Sequence, residues 1–185
     1  MSGTFQSAVI ARGMLSEGHV TVIDSKNVTS GLGLLVLKAA KLIEEGKALE
    51  EIEKALEELK PTIESLLVFE SLDNLVKGGR LSKTAGLIGS VLGIKVLLGV
   101  VDGNMAVKEK FRGSKKVLKS IIDILEEKAL NSGEPIMLLS IENKDIYEPL
   151  KEYLEEKGVE YIDNKVGCTV GIHSGPRACG IFYFN

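Results

Sequence analysis

A chain of 185 residues is long enough to bury a substantial core, in one large domain or two small ones. With 44% hydrophobic and 26% charged residues and no low-complexity tract, it reads as a folded protein and excludes a disordered one. A net charge of -3 and a pI near 5.6 argue against a nucleic-acid partner, which would call for a basic face.

Cys168 and Cys179 have neither zinc-ligand spacing nor the density of a disulfide framework, which suits a reducing cytoplasm. The longest apolar stretch, Gly86 to Val101, is interrupted by Lys95 and four glycines, so stable membrane insertion is not expected. The segment Met1 to Gln6 lacks the basic and apolar parts of a secretion signal.

In chain order, Ala8, Ala11 and Leu15 at helical spacing predict a helix from Phe5 to Leu15, with Ser2 as its cap. The β-branched run His19 to Ser25 predicts a strand, and Gly31 to Glu45 a mostly apolar helix closed by Gly46. Leu49, Ile52, Leu56 and Leu59 line one face of an amphipathic helix that Pro61 stops. A change of period there divides the chain. Residues 1–62 read as the remainder of an N-terminal α/β domain, Rossmann-like with a parallel sheet but incomplete, and 63–185 as a C-terminal α+β domain.

The second part opens with a strand at Leu66 to Phe69 and continues with a helix around Ser82 to Leu92. A hairpin follows, in which Lys95 to Val101 turns at Asp102-Gly103-Asn104 and returns along Met105 to Phe111. Ser114 is expected to cap a helix to about Leu130, and Ile136 to Ile141 forms a strand. Asp145 and Glu148 have capping-box spacing before a helix from Ile146 to Lys157; Val159 to Ile162 and Val166 to Phe184 end the chain as β structure. The sheet should be mostly antiparallel with helices packed on it. A single strand in the first part makes no sheet, so the chain reads as a fragment of a longer protein, or as one whose partner chain completes the sheet in an oligomer.

Four places carry candidate chemistry. Ser2-Gly3-Thr4 opens a helix, where free N–H groups and two hydroxyls suit a carboxylate or phosphate. Asp24-Ser25 and Thr29-Ser30-Gly31 lie at a strand end, the edge where ligands gather in α/β sheets. Lys77-Gly78-Gly79-Arg80 offers a sharp turn with a guanidinium that can grip an anion, or simply a turn with a solvated arginine. His173, within Gly171 to Ala178, can donate to an anion, or serve as a structural histidine in a turn. A triad of Ser2, His173 and Asp24 can be drawn, without a Gly-x-Ser-x-Gly elbow to support it. No His or carboxylate cluster suggests a metal.

Taken together in order, Ser2 to Ala8, Val22-Ile23-Asp24-Ser25, Leu72 to Leu81, Leu92-Gly93-Ile94-Lys95 and His173-Ser174-Gly175-Pro176 resemble the DegV family of bacterial fatty-acid-binding proteins. The resemblance implies a non-enzymatic, two-domain lipid carrier. It would bury a long-chain fatty acid and present it to a separate fatty-acid kinase that forms an acyl phosphate, with no cofactor beyond the lipid. Ser2, Thr4, Arg80, His173 and Ser174 would form the head-group site, with Ser2 and His173 touching the carboxyl group and Arg80 organising that end or a partner face. Leu87, Ile88, Val91, Leu92 and Ile94 would line the tunnel, although ordinary core packing is the commoner role of such residues.

A tail of about sixteen methylenes at about 0.8 kcal/mol each represents roughly 13 kcal/mol of transfer free energy, so the tail would dominate affinity and the head group orientation. Three positions depart from the family pattern: Val96 replaces a common proline, and Ser174 and Arg177 replace threonine and glycine, so that Arg177 would narrow the pocket or add charge to it. The remaining alternatives are a hydrolase or phosphoryl-transfer enzyme using His173 with a hydroxyl, and an interaction module without ligand.

Overall fold

Ile63–Phe69, strand β1, carries only two polar residues, a run that suits a strand covered on both faces. The computed structural model describes residues 3–15, 20–82, 93–130 and 132–185, and sets β1 at the middle of a six-stranded sheet. The other strands are β2 (Ile94–Val101), β3 (Asn104–Arg112), β4 (Ile136–Ser140), β5 (Tyr161–Lys165) and β6 (Cys179–Phe184). Their order is β3-β2-β1-β6-β4-β5. Every neighbouring pair is antiparallel except β4 and β5, so the fold is mixed α/β with a mostly antiparallel sheet, as expected.

The described helices are α1 (Thr4–Gly13), α2 (Ser30–Glu44), α3 (Leu49–Leu59), α4 (Asp73–Lys77), α5 (Ser114–Lys128), α6 (Lys144–Glu156) and α7 (Cys168–Ser174). Alternation along β1 sends Leu66 and Val68 to one face and Ile63, Leu67 and Phe69 to the other. On the first face, Val117, Ile121 and Leu125 of α5 and Ile146, Leu150 and Leu154 of α6 recur every fourth residue, and all six are fully buried. On the second face, Leu34 and Leu35 of α2 and Ile52 and Leu56 of α3 join Leu67, Leu98, Leu139 and Phe182.

Differences from the sequence expectation have local causes. Residues 20–25 of the expected first strand are irregular, because no described strand lies beside them to pair with. The expected capping of α6 by Asp145 is not formed: Asn143 stands at the cap without a side-chain bond to the helix, and Asp145 is drawn to Arg177 instead. Ser114 is the first residue of α5, with Gly113 at the cap. The stretch from Val166 to Phe184 is not continuous β structure, since α7 intervenes between Gly167 and Gly175 before β6 begins. The short α4 went unforeseen, and the helix expected around Ser82 to Leu92 lies almost wholly outside the described residues. The Asp102-Gly103 hairpin turn forms as expected, both residues having positive φ.

Candidate functional site

Beside the second sheet face, α4 and α7 leave a hollow of about 210 Å³. Leu67 and Phe69 of β1, Met105 of β3 and Leu139 of β4 form its floor, and Leu75, Ile141, Val166, Val170 and Ala178 continue the apolar wall. Thr29, Arg80, Thr169, His173 and Ser174 are its polar residues. An apolar cavity with a few convergent polar groups is the usual form of a small-molecule site.

Contact between two of the sequence motifs builds the polar end. A side chain at Gly78 would meet His173 Nδ1 at 2.3 Å, so only glycine lets α7 seat its histidine there. Gly175, with φ of 73°, ends α7, and a side chain on it would meet Asn74 Nδ2 at 2.7 Å. The glycine pair and the His-Ser-Gly-Pro run are therefore two halves of one junction between α4 and α7. His173 Nδ1 is buried and has no hydrogen-bond partner among the described residues, which is costly unless a ligand or water supplies one.

Arg80 is half-buried, its backbone N–H donates to the Leu75 carbonyl, and its guanidinium donates to the Gly78 carbonyl. Ser174 is buried and its hydroxyl lies 3.4 Å from the Gly171 and Gly175 carbonyl oxygens. Thr29 precedes α2 with φ of 49°, a left-handed conformation that β-branched residues rarely adopt. Cys179 borders the cavity from β6 with its side chain turned to the first sheet face, and burial pushes its thiol up to about 12, so it stays protonated and inert at neutral pH.

Of the residues singled out in the sequence, the fold gathers Arg80, His173 and Ser174 at the cavity, together with Thr29 from the polar loop. Thr4 stands in the first turn of the solvent-exposed α1 and is not among the described lining residues. Ile94 opens β2 and packs at the edge of the second-face cluster. Ser2, Leu87, Ile88, Val91 and Leu92 lie outside the described residues. Asp24 accepts from the Lys26 N–H within its own loop and is not among the residues that line the cavity with His173. Arg177 does not narrow the pocket: its side chain points away to Glu70 and Asp145. Phe69, Met105, Leu139 and Ile141 were missed as lining residues because strand alternation marks a core face without distinguishing filled space from hollow.

A family model described as "Uncharacterised protein, DegV family" matches residues 1–185. The chain belongs to the DegV family. DegV domain-containing proteins of Clostridium perfringens and Clostridium acetobutylicum are 53% and 54% identical to it over 183 residues, each alignment covering 99% of this chain and 66% of the relative. The chain thus spans just under two thirds of the length of these DegV relatives. A solved DegV protein from Eubacterium eligens, loaded with heptadecanoic acid, superposes with a TM-score of 0.89 at 26% identity over 100% of this chain and 69% of that one. A fatty-acid-binding DegV protein of Thermus thermophilus gives 0.88 at 28% identity, over 100% and 67%. The Streptococcus pneumoniae Fatty Acid Kinase (Fak) B3 protein loaded with linoleic acid gives 0.88 at 26% identity, over 99% and 67%.

Proposed function

We propose that this chain holds a long-chain fatty acid, with the carboxyl group at the junction of α4 and α7 and the tail along the apolar wall of the cavity. The observation that carries the reading is His173, whose buried Nδ1 has no hydrogen-bond partner among the described residues and which lines, with Arg80, Thr29 and Ser174, a hollow whose remaining walls are largely apolar. A carboxylate would supply the missing acceptor to a protonated Nδ1, and charge-assisted bonds of this kind contribute about 1.5–3 kcal/mol each. The solved relatives loaded with heptadecanoic and linoleic acids support the ligand class.

Ser2 and Thr4 belong to the same reading as head-group contacts, and Leu87, Ile88, Val91, Leu92 and Ile94 as tunnel lining. The chain divides at residue 62, with 63–185 as the lipid-binding domain: all six described strands follow this point, while α2 and α3 before it pack on the second face of their sheet. The protein itself performs no chemistry and needs no cofactor; it presents its lipid in the cytoplasm to a separate kinase, a role that the Fak B3 neighbour supports. No described helix is long and apolar enough to cross a membrane.

Native mass spectrometry of the purified protein after incubation with heptadecanoic acid tests the reading. One acyl chain per protein is expected, with retention reduced about tenfold in His173→Ala by the loss of one charge-assisted bond. Folded protein that retains no acyl chain would overturn it.

A further inference from the structure

Three turns meet beside the cavity, and each is adjacent to a residue of its wall. Glu70 follows Phe69, the turn at Glu142 and Asn143 that leads into α6 follows Ile141, and Arg177 precedes Ala178. Arg177, in the third, touches the other two. Its Nε lies 2.8 Å from Glu70 Oε2, its Nη2 lies 3.1 Å from Asp145 Oδ2, and its backbone carbonyl accepts from Asn143 Nδ2 at 2.8 Å. Lys95 makes a second ion pair with Glu70.

The backbone at Arg177 is strained, with φ of 58°, a region that favours glycine. A long side chain held in that conformation needs compensation, and two carboxylates reached by one planar fork provide it. Glu142, on the facing turn, also has positive φ, at 52°. The Ile141 N–H bonds to the Ala178 carbonyl at 2.7 Å, so displacement of one turn is transmitted to the other.

We propose that Arg177 is a positioning residue, a clasp that holds the turns behind Phe69, Ile141 and Ala178 together and so sets how slowly the cavity opens. For ligand release the inference rests on the lipid-binding reading; for the clasp itself it does not. Half of the guanidinium-bearing side chain is in solvent, so the clasp is sensitive to salt as well as to sequence.

Cys179 reports on the clasp without any ligand. Its side chain lies on the first sheet face beside Val68, two residues from Arg177 at 2% exposure, so a reagent reaches it only when the strand ends and α6 that the clasp joins come apart; Cys168 is exposed and serves as an internal reference. Site-resolved alkylation with a small maleimide, followed by mass spectrometry, compares the wild type with Arg177→Gly. Cys179 modification is expected to be about fivefold faster in the glycine variant, the effect of losing two partly exposed ion pairs, with Cys168 unchanged. Raising salt to about 1 M should accelerate Cys179 modification in the wild type and leave the glycine variant unaffected.

Asp145→Asn, which keeps the backbone at 177 intact, should give about a twofold acceleration and supplies the measurement if the glycine variant does not fold. Equal Cys179 rates in the wild type and a folded variant overturn the clasp. Stopped-flow release of cis-parinaric acid from the same proteins should quicken in parallel with alkylation. If the wild type takes up no cis-parinaric acid, the lipid reading falls, and the alkylation ratio still decides the clasp.

Discussion

The two faces of the sheet are built from similar apolar residues and end differently. Under α5 and α6, two helices with fourfold apolar spacing lie on β1, β4 and β6, and their inward side chains are completely buried. On the opposite face α2 and α3 cover part of the sheet, while α4 and α7, helices of five and seven residues, leave a hollow lined by His173, whose buried Nδ1 has no partner among the described residues. Long regular helices fill a sheet face; short ones joined at glycines frame an opening. The closed face carries stability, and the open face carries the candidate site.

The largest effect that tests this contrast comes from the closed face. Leu150→Ala should cost about 2–5 kcal/mol in urea unfolding, because its surroundings are rigidly packed and cannot collapse into the cavity left behind. A cost below about 1 kcal/mol would mean that this face is as loosely filled as the other.

Gly78→Ala probes the open face and should do less to stability, about 1–3 kcal/mol, the usual penalty for an added methyl in a packed site. Because that methyl meets His173 Nδ1, the substitution should weaken fatty-acid binding by more than its stability cost suggests, as read by titration calorimetry on folded protein. Unchanged affinity would separate the α4–α7 junction from the head-group site.

The smallest effect is a pH slope. Burial raises the Cys179 thiol from about 9 to about 12, so the folded state binds the proton more tightly than the unfolded state. Stability contributed in this way is fully present below pH 9 and is lost as the pH rises towards 12, by at most about 1.4 kcal/mol per pH unit. The difference in unfolding free energy between the wild type and Cys179→Ala, followed from pH 8 to 10, isolates it from the other titrating groups. No pH dependence in that difference would mean that the thiol is reached by water and the first face is open beside Arg177.

Much of the closed face was legible in the residues. The spacing of Val117, Ile121 and Leu125, the Asp102-Gly103 turn and the apolar run of β1 each act over a few positions, and local physics is enough to read them. The site was legible only in pieces. Gly78 and His173 stood out as a turn and an anion donor, but their contact spans 95 positions and is a property of how α4 meets α7. Arg177 shows the same limit: its charge suggested a pocket residue, whereas its left-handed backbone turns the side chain outward to two carboxylates. Asp145, read as a helix cap, was taken by that arginine because a charged partner outcompetes a neutral backbone N–H.

By itself, then, the sequence determined the class of fold, most of the elements and the family, since helical and strand periods and ordered motifs are local or one-dimensional properties. The tertiary structure alone decided which apolar face is filled and which is hollow, which motif faces which, and where Arg177 points. Those depend on the distances between elements far apart in the chain, and packing, unlike periodicity, is not written at any single position.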